Sequence, residues 1–348
     1  MNSNSIHQLL ALTHPYVGRP GLIQGPGGNT SVKAEDGSMF IKASGFLFSE
    51  MSLDRGISAV DAKVISTYFH NVEVSDKALA EKESLSVISG AILTDEKGKP
   101  YPKPSMETGF HAVLDTYVVH THSVWTNLLN CNKNKDVYFE KLKEALPFHF
   151  YRIPYVSPGF GLSYLITRAL KTSEIKPSVF FLENHGVIAH GNNAEAVHEL
   201  LRKTDAAIAT MFQLSVSEYP ETVMRTTADG YVPQSDFCTN VLKKHQADPS
   251  FFDAVMFPDQ TVFFKGNIGS IKEACKIGIG EGFELVYRTE AREALAMHET
   301  MTSYLFIYDT ILNNGDTLQL IDGKEIDYIQ NMDMEKHRKS IMNKKDLN

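Results

Sequence analysis

His120 and His122 flank a single threonine directly after the run Asp115-Thr-Tyr-Val-Val119. That β-branched and aromatic run reads as a short buried strand. Side chains alternate faces along a strand, so the two imidazoles project to one side, roughly 6–7 Å apart along the backbone. Two rings that close, at a strand end, can share one divalent cation. His185, in Phe180-Phe-Leu-Glu-Asn-His-Gly186, ends a second apolar run and is the candidate third donor. A single histidine at a strand end is more often a packed residue, but two on one face leave ring nitrogens that need partners in a buried place. Three neutral nitrogen donors leave the ion doubly positive with a position open to water or substrate, the arrangement of a catalytic zinc site.

Glu107 lies shortly upstream in Pro104-Ser-Met-Glu-Thr-Gly-Phe-His111. A short connection can fold this segment back over the strand end and bring its carboxylate to the metal, where it could move a proton on or off substrate. Glu107 and His111 are four apart on the expected helix and share a face; His111 reads as a packed or orienting residue rather than a ligand. Gly25-Pro-Gly-Gly-Asn-Thr-Ser31 is a glycine-dense turn whose backbone N–H groups can approach an anion. Ala43-Ser44-Gly45 adds a hydroxyl and a permissive backbone, and Ser105 stands where a helix dipole favours negative charge. The spacing matches neither a Walker A loop nor a dinucleotide fingerprint. Together these pieces read as a phosphate or carboxylate cradle.

The elements that must position these residues alternate between helix and strand. Helical periodicity covers 5–17, strands 30–34 and 39–43 form a hairpin about Glu35-Asp-Gly37, and a helix follows over 78–93. Pro104-Ser105 opens a helix over 105–114. Strand 116–121, helix 123–131, strand 148–155, helix 159–171, strands 178–183 and 187–190 and a long helix 193–214 come next. Pro220 and the polar stretch 226–230 mark a change of pattern, which divides the chain into a catalytic domain, 1–225, and an extension, 235–348. Within the extension Thr261–Phe264 and Glu284–Tyr287 read as strands, and 271–276, 289–298 and 326–339 as helices. The extension is expected to enlarge the core, build a subunit interface or act as a lid, to which Tyr287, Arg288 and His298 could contribute.

The 348 residues, 43% hydrophobic, supply ample apolar surface for a core. A net charge of -8 argues against nucleic acid or an anionic membrane as partner. Three cysteines (Cys131, Cys238 and Cys275) sit at no metal-ligand spacing and read as reduced thiols, which favours the cytoplasm. The amino terminus lacks the pattern of a secretion signal, and no apolar stretch approaches the ~18 residues that span a bilayer.

Five ordered motifs, Gly27-Gly-Asn-Thr-Ser31, Ala43-Ser-Gly45, Pro104-Ser-Met-Glu107, His120-Thr-His122 and Asn184-His-Gly186, resemble those of the class II aldolase/adducin family over about residues 5–215. Gln24–Ser31, Pro104–Thr108 and Val255–Phe263 look like the aldolase half of bifunctional rhamnulose-phosphate aldolase/dehydrogenase proteins, with no Rossmann half following. The resemblance implies an α/β/α sandwich around a mostly antiparallel sheet, here with a smaller C-terminal α+β extension, and commonly a homotetramer. It implies one zinc ion (Zn2+) per subunit on His120, His122 and His185, with Glu107 as acid/base and resting ligand. Phosphate would sit among Gly28, Asn29, Ser44, Gly45 and Ser105. Met106 departs from the second hydroxyl that sugar-phosphate aldolases often carry before the glutamate, removing one donor from the cradle. The implied reaction is cleavage of a ketose 1-phosphate or related sugar (acid) by carbonyl polarisation and enediolate stabilisation. The family also holds sugar-phosphate epimerases, a dehydratase and adducin, a non-catalytic binding module that lacks the metal residues.

Overall fold

A computed structural model describes residues 3–331. One sheet holds seven strands: β1 (Asn29–Lys33), β2 (Ser38–Lys42), β3 (Ile57–Asp61), β4 (Tyr117–Thr121), β5 (Phe150–Ile153), β6 (Val179–Leu182) and β7 (Gly186–Gly191). Their order is β3-β2-β1-β4-β7-β6-β5, and every neighbouring pair is antiparallel except β5 with β6. The helices of this part are α1 (Ser3–Thr13), α2 (Ala62–Asn71), α3 (Lys77–Gly90), α4 (Thr108–Val113), α5 (Val124–Asn130), α6 (Lys135–Ala145), α7 (Phe160–Thr172) and α8 (Ala194–Met211). None of the described helices is long and apolar enough to cross a membrane.

Strand alternation decides which helices lie on which face. Val119, Val187 and Ala189 share a core with Leu9 of α1, Trp125 and Leu128 of α5 and Ile208 of α8. Val118 and Ile188, one residue along, point the other way, into a core with Phe110 of α4 and Leu162 and Ile166 of α7. Met39, Ile41 and Val60 meet Ile65 and Phe69 of α2. The chain is thus the α/β/α sandwich around a mostly antiparallel sheet that the motifs implied. His120 shares the face of Val118, so β4 carries it towards α4.

Lys33 stitches that helix to the sheet. Its ammonium donates to the carbonyls of His111 (2.8 Å), Asp115 (3.0 Å) and Leu114, the acceptors left open where α4 ends. Burial pulls the Lys33 amine down to about 7, so below that pH these bonds are charge-assisted and worth roughly 1.5–3 kcal/mol. Lys33→Met should therefore lower the free energy of unfolding by about that amount, read as an earlier urea midpoint at unchanged slope.

The remainder holds a second sheet of β8 (Met224–Thr227), β9 (Gly230–Pro233), β10 (Ile268–Ser270), β11 (Ile277–Ile279) and β12 (Leu285–Tyr287), in order β10-β11-β12-β9-β8. With it are α9 (Phe237–Lys244), α10 (Pro258–Phe263), α11 (Ala291–Asn313) and α12 (Gly323–Asn331). Met297, Met301, Tyr304 and Leu305 of α11 belong to the same core as Trp125 and Val119. The hairpin β8–β9 is built from the polar stretch 226–230.

Several local expectations fail for physical reasons. The helix expected from residue 105 starts only at Thr108, because Pro104 forms a bridge with Ala43 and Ser105 to Glu107 turn between the two. The strand expected at 261–264 lies largely within α10. Pro258 occupies the first turn there, and the Gln260 side chain caps the N–H groups of Met256 and Phe257, overriding the β-branched composition. The helix expected at 271–276 is a turn between β10 and β11. Strand β3 and helices α2 and α6 are additional to the sequence reading. The helix expected over 326–339 is seen within α12, and residues 332–339 lie outside the described residues.

Candidate metal centre

His120 is the penultimate residue of β4, opposite Asn29 of β1 on one side and Ile188 of β7 on the other. Residues in register on an antiparallel pair share a face, so the Asn29 side chain necessarily lies beside His120. His122 follows two residues later on the same face. His185 sits in the tight turn between β6 and β7. Asn184 takes a left-handed conformation there (φ 53°), with its side-chain amide donating to the carbonyls of Met256 and Gln319, both 2.8 Å. Gly186 admits no side chain: a Cβ would come within 2.2 Å of the Thr121 carbonyl oxygen. The turn can therefore close onto the end of β4.

The three imidazoles converge. Each pair of ring centroids is 4.9 Å apart, and one donor atom of each lies within 4.8 Å of the others. His120 Nδ1 donates to the Val187 carbonyl (3.0 Å) and His122 Nδ1 to Asp259 Oδ2 (2.6 Å), which leaves the Nε2 lone pairs of both free. Glu107, at the start of α4, reaches between the rings, with Oε2 3.5 Å from His120 Nε2 and Oε1 3.5 Å from His185 Nε2. Burial holds the His120 imidazole down at about 4 and the His185 imidazole at about 3, against the pull of the Glu107 carboxylate, so both are neutral donors at pH 7. Burial would raise the Glu107 carboxyl, but the three imidazoles and the Asn29 amide outweigh it and hold it at about 2.

Glu107 is itself held. Asn29 Nδ2 donates to Glu107 Oε2 (2.7 Å) and to Ser105 Oγ (3.1 Å). Asn29 Oδ1 meets His111 Nε2, and His111 Nδ1 pairs with Ser31 Oγ (2.7 Å). His111 thus orients Asn29, which orients the acid. Gly28 (φ 62°) brings the glycine turn against β4, where a Cβ would lie 2.8 Å from the His120 carbonyl oxygen and 2.4 Å from Ile23. Gly28, Asn29, Ser44, Gly45, Ser105, Glu107, His122 and His185 line one cleft, and His120 lies buried against Glu107, His122 and His185.

Two polar residues of the cleft escaped the sequence reading. Lys42, 2% exposed, lines it at the end of β2 and donates to the carbonyls of Pro26 (3.0 Å) and Phe46 (2.8 Å). Alternation along the hairpin strand, with Ser44 already a candidate, was the available signal. Asp259 comes from α10, 137 positions from its partner His122; it falls in the resembling stretch Val255–Phe263, which assigned it no role. Tyr287, Arg288 and His298 are absent from the cleft walls: Tyr287 pairs with His298 (3.1 Å), and Arg288 with the carbonyls of Ile271 and Glu273.

The donor set fits a divalent cation. Glu107 Oε1, His120 Nε2 and His122 Nε2 are buried without a hydrogen-bond partner among the described residues. Leaving such atoms unpaired costs roughly 1–3 kcal/mol each. A cation among them satisfies all three at once. Imidazole nitrogens beside a carboxylate oxygen are donors that suit first-row divalent ions, zinc among them.

The profile of the Class II Aldolase and Adducin N-terminal domain matches residues 8–211. No curated protein matches the chain. Among solved structures it is similar to the N-terminal class II aldolase domain of a conserved Thermoplasma acidophilum protein, at 20% identity and a TM-score of 0.48, over 59% of this chain and 92% of that one. It is also similar to L-fuculose-1-phosphate aldolases from Thermus thermophilus (14% identity, TM-score 0.38, 60% of this chain and 94% of that one) and Glaciozyma antarctica (9%, 0.40, 90% of each). The profile spans more than half of the 348 residues and takes in the glycine turn, the glutamate and all three histidines, so the chain belongs to the class II aldolase/adducin family.

Proposed function

We propose that the protein is a zinc-dependent aldolase that cleaves a ketose 1-phosphate or a related sugar acid. The observation that carries this reading is the convergence of buried, unpartnered donor atoms on one point of a polar cleft. His120, His122 and His185 would hold the ion, with Glu107 beside it. Bound there, zinc supplies a Lewis acid that polarises a carbonyl and offsets the negative charge left by carbon–carbon cleavage, with no lysine Schiff base required.

The chain's own groups do the rest. Glu107 Oε2 is pinned by Asn29, which leaves Oε1 to take up and return the proton. The chain of Ser31, His111 and Asn29 fixes the carboxylate plane. Gly28, Gly45, Ser44 and Ser105 offer backbone and hydroxyl donors to an anionic end of the substrate, and the Lys42 side chain adds a nitrogen donor to that wall. Lys42 compensates for the donor missing at Met106. Epimerase and dehydratase chemistry would use the same groups, and no contact in the cleft favours either.

Ketose 1-phosphates, their unphosphorylated forms and sugar acids, assayed with zinc for aldehyde release, test the assignment. Cleavage of at least one anionic ketose is expected; a zinc-loaded protein that cleaves none of them contradicts it. Lys42→Met should raise KM for the anionic substrate by tenfold or more while changing its KM for a neutral analogue little. Equal effects on both would remove Lys42 from anion binding.

A further inference from the structure

Asp259 lies outside the region that the family profile matches, yet it makes the shortest polar contact to any of the three histidines. Its carboxylate accepts from His122 Nδ1 at 2.6 Å, and the two residues are 1% and 6% exposed. The pairing fixes both the tautomer and the rotation of the ring, and turns Nε2 towards His120 and His185. The segment that delivers Asp259 is latched in place. Gln260 Oε1 accepts from the N–H groups of Met256 (2.6 Å) and Phe257 (3.2 Å), and Thr261 Oγ1 donates to the Pro258 carbonyl (2.7 Å). The same segment grips a second histidine through the Met256 carbonyl, which accepts from Asn184, the left-handed residue next to His185.

We propose that Asp259 is a positioning residue of the metal centre, so that residues 255–260 of the extension set how tightly the family's own histidines hold their ion. The inference rests on the zinc reading above. A buried carboxylate on the far nitrogen makes His122 a more basic ligand, and partners of this kind typically govern metal affinity by about 10–100-fold. It also brings a second buried carboxyl group to the centre besides Glu107, which would offset charge that imidazole ligands leave uncompensated.

The test compares full-length wild type, Asp259→Asn, Asp259→Ala and His122→Ala. Zinc affinity is read by chelator competition, and the ligand field by the visible spectrum after Co2+ substitution. Asp259→Asn keeps the side-chain volume and an acceptor, so its metal-free unfolding midpoint should stay near wild type even if Asp259→Ala folds poorly. The expected result is a 10–100-fold weaker zinc affinity in Asp259→Ala, a smaller loss in Asp259→Asn, and shifted Co2+ bands in both. Wild-type affinity and an unaltered spectrum in the Asp259 variants, with metal lost in His122→Ala, would overturn this inference alone. A wild-type protein that takes up no zinc would overturn the zinc reading and this inference with it.

Discussion

Glu107→Gln is expected to keep its zinc and its fold while losing about 10²–10⁴-fold in the rate of carbon–carbon cleavage, the usual contribution of a positioned acid/base. Glutamine matches the volume of the buried side chain and can still accept the Asn29 bond through its carbonyl oxygen, so the loop that carries residue 107 has no reason to move. What disappears is the proton-carrying capacity of the second oxygen, Oε1, which has no hydrogen-bond partner among the described residues and lies 3.5 Å from His185 Nε2. The loss should fall on kcat with KM nearly constant, because the group acts on the reacting proton rather than on substrate binding. Metal analysis on the same preparation separates this from a damaged site. A variant that cleaves at the wild-type rate would take Glu107 out of the chemistry.

The second large effect concerns the ion. Zinc at 100 times its dissociation constant should raise the free energy of unfolding by about 2.7 kcal/mol, since the assembled site exists only in the folded chain. His185→Ala should abolish that increment, and its unfolding curve should then be the same with zinc or with chelator. In the wild type each of the unpaired donors is a local cost that only the cation removes. A zinc-dependent shift that survives in His185→Ala would mean that the ion sits elsewhere.

Strand physics made the centre legible before any coordinates. Alternation along β4 places His120 and His122 on one face, and the apolar run before His185 brings a second strand end to the same height. The glycine turn and Glu107 were readable as chemistry, but the bond between Asn29 and Glu107 follows from the register of β1 on β4, which sequence spacing does not encode. Asp259 lay in the resembling stretch Val255–Phe263, but its role was hidden for the same reason in stronger form. Its partner is in another element, and no spacing links the two.

The extension was the harder text. Composition at 261–264 is that of a strand, yet Pro258 and the Gln260 cap make it helical. Helix α11 runs 23 residues, well past the expected 298, because its sides are buried against α5, α9 and α10, and an all-round apolar helix loses the period that marks its end. The same burial ties it to the cleft. Arg292 grips Glu50 with two bonds (2.9 and 2.7 Å) and the Gly45 carbonyl (2.8 Å), and Glu299 accepts from the Gly25 N–H (2.7 Å).

Anomalous diffraction at the zinc edge, from crystals of full-length protein equilibrated with zinc, tests the central claim most directly. The account predicts a single strong peak about 2.0–2.1 Å from one ring nitrogen each of His120, His122 and His185. A zinc-saturated crystal with no peak among those three rings, or with its only peak at another group of residues, would contradict it.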